Sequence, residues 1–300
     1  MRKFFFVLAM TLLASGFSQL NAQPAERTGP PPVLLIVRED IKPSKMPAHN
    51  IHSAAFARIF RQLQTPSYRI ALVPVAGSEN EVIYLTGAAT FKEIEETGRD
   101  TDKKLSSVSG AMKSELERLE KEAPDLHAGM RDLFAIFRPE LSYDPGVDIR
   151  QMRYFAITTV RVRPGQEDQY GDYVRNLTNA ARTKAKAELH VAAFQIIAGS
   201  PATTYMFFRP MKTLADYDLR IGQRVRDAMS DDQKKKADKL AGESVVFSET
   251  SVYAFNPQMS YMPKEFVAGD PSFWTPKPEE PVTTKQVKPK KPAKPPAPPQ

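Results

Sequence analysis

Cysteine is absent from the 300 residues. That excludes disulfide staples, thiolate metal sites, a cysteine nucleophile and lipid attachment at a lipobox cysteine. Histidine is scarce, with four residues, and tryptophan occurs once, so imidazole chemistry has few places to reside. No glycine-rich phosphate loop or dinucleotide fingerprint occurs. Gly199-Ser200 precedes an apolar run instead of sitting in a strand-turn-helix setting, which argues against a serine nucleophile elbow. Asn176-Leu-Thr178 has the form of a glycosylation acceptor but falls inside a helical pattern, where the match is accidental.

Long apolar runs are lacking as well. Arg2 and Lys3 followed by Phe4 to Leu13, then Leu20-Asn21-Ala22, read as a secretory signal over residues 1–22. Uninterrupted apolarity there stops short of the ~20 residues that cross a bilayer. The expectation is therefore an exported protein, periplasmic or extracellular, with no integral membrane span after cleavage. A net charge of +7 suggests a polyanion binder, but Arg2, Lys3 and the Lys-rich tail of residues 276–300 carry +6 of it. The nearly neutral body offers no basic face for nucleic acid.

What is present is periodicity. After a linker at residues 23–32, Val33–Val37 reads as a buried strand. Residues Ala48–Gln64 read as a helix whose Ile51, Ala55, Phe56, Ile59, Phe60 and Leu63 share a side. Tyr68–Ala76 and Val82–Leu85 form a hairpin around Gly77-Ser78, with Pro74 marking an edge or bulge. Thr90 caps a short helix, Phe91–Thr97, with Glu93 completing a capping box. A polar helix follows at Leu105–Lys121, ended by Pro124. A further short helix around Asp125–Met130 precedes a strand at Leu133–Phe137.

The second half repeats the first. Pro43 matches Pro164, Ala76-Gly77-Ser78 matches Ala198-Gly199-Ser200, and Tyr84 matches Tyr205. The unit ends, Phe137-Arg-Pro-Glu-Leu-Ser-Tyr143 and Phe255-Asn-Pro-Gln-Met-Ser-Tyr261, share Phe-x-Pro-x-(Leu/Met)-Ser-Tyr. A repeat of this length gives an α+β fold of two tandem ferredoxin-like β-α-β-β-α-β units with extra helices. The units span residues 33–143 and 154–261, joined by a linker at 144–153. Residues 262–275 read as an apolar strap built on Phe266, Phe273 and Trp274. From Pro276 onward, Pro and Lys dominate, the composition of a disordered or polyproline tail.

The run Thr158-Thr-Val-Arg-Val-Arg-Pro-Gly165, the Tyr-bearing helix after it, and Ala198-Gly199-Ser200 with Tyr205-Met-Phe-Phe-Arg-Pro210 resemble the dimeric α/β-barrel superfamily. That group includes antibiotic-biosynthesis-monooxygenase-like, haem-degrading and NIPSNAP-like proteins. The resemblance implies two ferredoxin-like units paired into a barrel, here within one chain, and a monooxygenase-like or haem-handling activity among its functions. Trp274 lies outside both repeats, and the Asn, Trp and His that the haem-degrading branch sets around its porphyrin have no identifiable counterpart.

The most pointed candidates are His49 and His52, three residues apart at the start of the first helix. Such a pair can ligate a divalent metal or haem iron, or supply a general base. Ordinary surface histidines are the plainer reading, since no third ligand is named by the sequence. Glu39 or Asp40, at the end of the preceding strand, are placed to orient one of them. Counting from the Pro43/Pro164 match, the equivalent positions in the second unit are Tyr170 and Tyr173. With Phe56, Tyr84 and Tyr205 these residues are the candidate lining of a cavity between the two units for a small, apolar or aromatic molecule. His190 reads as a packed edge residue, and His127 lies in a connecting segment. The Lys/Pro tail is a candidate contact for anionic envelope polymers. Three functions stay open: a small-molecule binder, a haem- or metal-dependent enzyme, and a structural envelope component.

Overall fold

The charged residues Arg38, Glu39 and Asp40 do not end the first strand. They pair with a neighbour on each side, so β1 runs Val33–Ile41. The computed structural model describes residues 29–275. The signal peptide, most of the 23–32 linker and the 276–300 tail lie outside the described residues. After β1 come α1 (Met46–Leu63), β2 (Ile70–Ala76), β3 (Glu81–Ala88), α2 (Phe91–Ser106), α3 (Gly110–Leu126) and β4 (His127–Phe137). The second unit supplies β5 (Tyr154–Val162), α4 (Glu167–Asp172), a π-helical stretch (Tyr173–Asn179) and α5 (Ala180–Lys184). It continues with β6 (Ala192–Ala198), β7 (Thr204–Met211), α6 (Ile221–Asp227), α7 (Asp231–Ser244) and β8 (Val245–Phe255). Two short helices, α8 (Lys264–Val267) and α9 (Pro271–Trp274), follow. No described helix is long and apolar enough to cross a membrane.

The eight strands close into one barrel in the order β1-β3-β2-β8-β5-β7-β6-β4. Each unit contributes a four-stranded antiparallel sheet, and the units meet along β2·β8 and β4·β6. This is a dimeric α/β barrel made by one chain. The repeated motifs have repeated jobs. The Ser142 hydroxyl accepts from Ala193 N–H and donates to the Arg138 carbonyl; Ser260 does the same with Ala71 and Asn256. Tyr143 bridges to Val191, and Tyr261 to Arg69. Gly77 and Gly199, both at positive φ, turn the hairpins where one unit meets the other. Pro74 sits at the expected irregularity, where the β2–β8 register shifts.

Period-2 alternation sends Leu34, Ile36, Ile83, Leu133, Phe155, Ile157, Phe194, Met206, Phe208, Tyr253 and Phe255 into the barrel, where they form one buried cluster. The strap covers one end: Trp274 is buried against Phe255, Phe266 and Phe273, and its indole N–H donates to the Arg150 carbonyl at 2.8 Å. Further along the interior, Tyr253 donates to Glu81 Oε2 at 2.5 Å and Arg38 pairs with Glu81 Oε1 at 2.6 Å. These residues pack the strap-covered part of the barrel interior into one core.

Three local expectations are corrected. Thr90 does cap its helix, accepting from Glu93 N–H, but α2 runs on to Ser106 and takes in Leu105. Pro124 lies in the last turn of α3 instead of ending it. Residues Asp125–Met130 form no helix of their own: α3 ends at Leu126 and β4 begins at His127, because strand pairing with β1 outweighs local preference.

Candidate functional site

Alternation along β1 puts Val37, Glu39 and Ile41 on the outer face of the sheet, beneath α1. The β1–β4 register shifts between Asp40 and Ile41, and the bulge places His127 opposite Ile41. His127 thereby joins the helix-facing side. His49, in the first turns of α1, is fully buried. Its Nε2 lies 2.7 Å from Glu39 Oε2, and His127 Nε2 lies 3.4 Å from the same oxygen. The His49 and His127 rings meet edge-on at 5.1 Å. The exposed helix start of the plainer reading is overturned, since His52 is buried too. His52, however, turns to α3, where its Nε2 donates to the Leu119 carbonyl at 2.9 Å. Structure thus groups His49 with Glu39 and His127, not with His52. Glu39 carried a signal as the carboxylate ending a strand; His127 carried none, since the bulge that turns it inward leaves no periodic mark.

Burial alone would raise the Glu39 carboxyl, yet the His127 and His49 imidazoles beside it hold it at about 2. The Glu39 contact lifts the His127 imidazole against the opposing pull of burial, while burial pushes His52 down. His127 Nδ1 is 2.8 Å from the Ala123 carbonyl. Donation from that nitrogen leaves Nε2 with its lone pair toward Glu39 in the neutral ring. His49 Nδ1, His52 Nδ1 and His127 Nε2 are buried without a hydrogen-bond partner.

Phe56 and Tyr84 belong to the packing beneath α1. Phe56 stacks edge-on with His52 and packs with the α1–α3 cluster. Tyr84 lies with Ile41, Ala71, Val82 and Met259, and the Arg69 guanidinium sits 4.9 Å from its ring centre. The remaining candidates are elsewhere. Tyr170 packs on Tyr205 at 5.6 Å beneath the helices of the second unit. His190 lies beside Asp144, 3.1 Å from its carboxylate.

In that second unit a groove of about 560 Å³ opens between the outer face of β5, β7 and β8 and the helices above. A second lobe of about 500 Å³ shares Thr158, Tyr173, Thr178, Arg182 and Phe207 with it and adds Tyr170. The π-helical stretch matters locally: it sets Tyr173 and Thr178 along the groove, with Arg182 on the following turn. A π turn inside a helix is frequently found at a functional site. Arg182 donates to Asn179 Oδ1 and Arg209 to the Asp216 carbonyl. Neither has a carboxylate partner among the described residues. Burial and the nearby Arg209 both pull the Arg182 guanidinium down. Arg226, by contrast, is neutralised by a bidentate pair with Asp238. Thr178 Oγ1 is buried there without a partner. Of the sequence candidates the groove receives Tyr173 and Tyr170. Arg182 and Arg209 were missed, because a lone Arg in a helix or strand reads as surface until its carboxylate neighbours are known to be absent.

No family model matches the chain, and no curated protein matches it. Among solved structures, an anthrone oxidase-like protein aligns at 10% identity over 77% of this chain and 92% of its own, with a TM-score of 0.49. A chlorite dismutase from Candidatus Nitrospira defluvii aligns at 9% identity over 80% of this chain and 95% of its own, with a TM-score of 0.45.

Proposed function

We propose that this tandem dimeric α/β barrel is an exported binding protein for a small amphipathic anion: an apolar or aromatic body carrying a carboxylate or similar group, held in the groove of the second unit. The observation that carries the reading is the pair of guanidiniums, Arg182 and Arg209, facing the groove without carboxylate partners. Both guanidiniums are half-buried, Arg182 over the Tyr143 ring and Arg209 over the Tyr217 ring, and a ligand anion would supply the charge-assisted, bidentate hydrogen bonds that no carboxylate of the groove gives them. Phe207, Leu189, Val191 and Met229 supply the apolar wall, and Thr178 a spare hydroxyl. The volume suits a drug-sized molecule. Binding is favoured over acid-base catalysis because the lining holds no imidazole, and its one carboxylate, Asp238, is engaged by Arg226.

The test uses 8-anilinonaphthalene-1-sulfonate as a fluorescent probe, displaced by naphthalene-2-carboxylate or by the neutral naphthalene-2-methanol. Saturable binding with displacement by the carboxylate alone supports the reading. Arg182→Gln should weaken the carboxylate about 10- to 100-fold, the worth of one charge-assisted hydrogen bond. Equal displacement by the alcohol, or an affinity unmoved by Arg182→Gln and Arg209→Gln, overturns it. Export rests on Arg2-Lys3 and the apolar Phe4–Leu13. A secreted product beginning after Ala22 supports it, and cytoplasmic retention of the full chain refutes it.

A further inference from the structure

Three of the four histidines of the chain meet between α1 and the sheet, His49 and His52 from α1 and His127 from β4. Two of them converge on one carboxylate oxygen. Nε2 of His49 is 2.7 Å and Nε2 of His127 is 3.4 Å from Glu39 Oε2. One ligand atom from each of the three residues falls within 4.8 Å of the others. Ligands held at 2.0–2.2 Å around a tetrahedral ion lie roughly 3.3 Å from one another, so these separations already approach those of a coordination shell. The groups come from three elements: Glu39 from β1, His49 from α1 and His127 from β4.

Outer contacts fit the same use. His127 spends its Nδ1 on the Ala123 carbonyl, the arrangement that fixes a ligating imidazole and points the other nitrogen at a metal. Its Nε2 then faces a carboxylate oxygen with no hydrogen-bond partner of its own. Between a ring lone pair and an anionic oxygen something positive has to sit, either a proton or a metal ion.

We infer that Glu39, His49 and His127 form a binding site for one divalent transition-metal ion of the zinc class. Two imidazoles and a carboxylate make a donor set suited to zinc, copper, nickel or iron and poor for magnesium or calcium. Three protein ligands leave at least one position for water or another small donor. Glu39 and His127 retain side-chain exposures of 16% and 21%, which gives the ion a way in. His52 stands outside the shell, committed to Leu119. The site is separate from the groove of the second unit and does not depend on it.

The test uses the full chain, stripped with chelator and titrated with zinc against a chromophoric competitor, and separately with cobalt(II) followed by its visible spectrum. One equivalent of zinc should bind with submicromolar affinity. Glu39→Gln and His127→Gln should each weaken it more than about 100-fold, beyond the 10- to 100-fold that loss of an outer partner costs. His52→Gln and His190→Gln should leave it unchanged. X-ray absorption of the zinc-loaded wild type needs no variant and should show two imidazole nitrogens, which keeps the inference testable if a variant fails to fold. Affinity no tighter than about 100 μM, binding that survives His127→Gln, or an absorption spectrum without imidazole would overturn it, leaving a proton-bridged His–Glu–His cluster.

Discussion

Oε2 of Glu39 lies 2.7 Å from Nε2 of His49 and within 3.4 Å of His127 Nε2, so one oxygen near the end of β1 ties the start of α1 to the start of β4. In the metal-free protein, Glu39→Ala should destabilise by about 3–5 kcal/mol, the cost of breaking a buried pair. Glu39→Gln, which keeps a polar partner for His49, should cost less. Urea unfolding of both variants checks this; equal costs would mean that the negative charge alone, and neither volume nor a neutral polar partner, is what Glu39 supplies.

The two hairpin glycines at the seams should differ in their tolerance. A Cβ on Gly199 would lie 2.0 Å from the Asp132 backbone carbonyl oxygen, whereas one on Gly77 meets Ser251 Oγ, which can rotate away, and Ser251 Cβ at 2.7 Å, which requires a smaller backbone shift. Both carry positive φ, so each alanine is strained. Gly199→Ala is expected to be the more destabilising, by about 3 kcal/mol or more against roughly 1–2 for Gly77→Ala. Thermal melts of the two variants measure the order.

Ser142 and Ser260 do the same work in the two repeats, each accepting a strand N–H. Replacing either by Ala leaves a buried backbone donor unpaired, at about 1–3 kcal/mol each. Because the sites lie in different units, the double variant should show additive losses in denaturant unfolding. Strong coupling between them would contradict the separate roles.

Alkaline stability follows from three phenols. Burial raises the pKa of Tyr84, with the Glu39 charge adding to it. Burial also raises Tyr170, with Tyr173 and Tyr205 adding, and Tyr253, with its hydrogen bond to Glu81 adding. A folded pKa above the unfolded value of ~10 means that the contribution is complete below pH 10 and is lost as pH rises through the folded pKa. Stability should therefore fall above pH 10, and Tyr170→Phe should flatten that fall by up to about 1.4 kcal/mol per pH unit. Urea midpoints between pH 8 and 11 give the slope; an unchanged slope in the variant refutes the assignment.

Trp274 is the only tryptophan, and it is buried in the barrel end. Its emission should be blue-shifted in the native protein. Trp274→Ala should cost about 3–5 kcal/mol, as removal of a buried indole does, measured by circular dichroism because the fluorophore is lost. A red-shifted native spectrum would show the strap undocked.

Much of the architecture was legible along the chain. The repeat stood in Pro43/Pro164, the two Gly-Ser hairpins and the Phe-x-Pro-x-(Leu/Met)-Ser-Tyr endings, because turns and motif serines depend on local backbone chemistry that a sequence displays directly. The strap was legible from its aromatics. Less visible was that Arg38, Glu39 and Asp40 continue a strand, since charge on a strand end looks like a loop until both neighbouring strands are known to pair there.

The sequence by itself determined two ferredoxin-like units, their order and the scarcity of imidazole and thiol groups, since composition and period-2 or 3.6 patterning are properties of the chain. Tertiary structure decided which side chains meet. Barrel closure packed Ile36, Ile83, Phe155 and Phe208 into one core and left Tyr84, Tyr170 and Tyr205 outside it. A one-residue bulge opposite Asp40 brought His127 to Glu39, eighty-eight positions away in the chain. The missing carboxylates around Arg182 and Arg209 became visible only after folding. Each depends on which residues meet across the fold, and such meetings leave no periodic trace in the sequence.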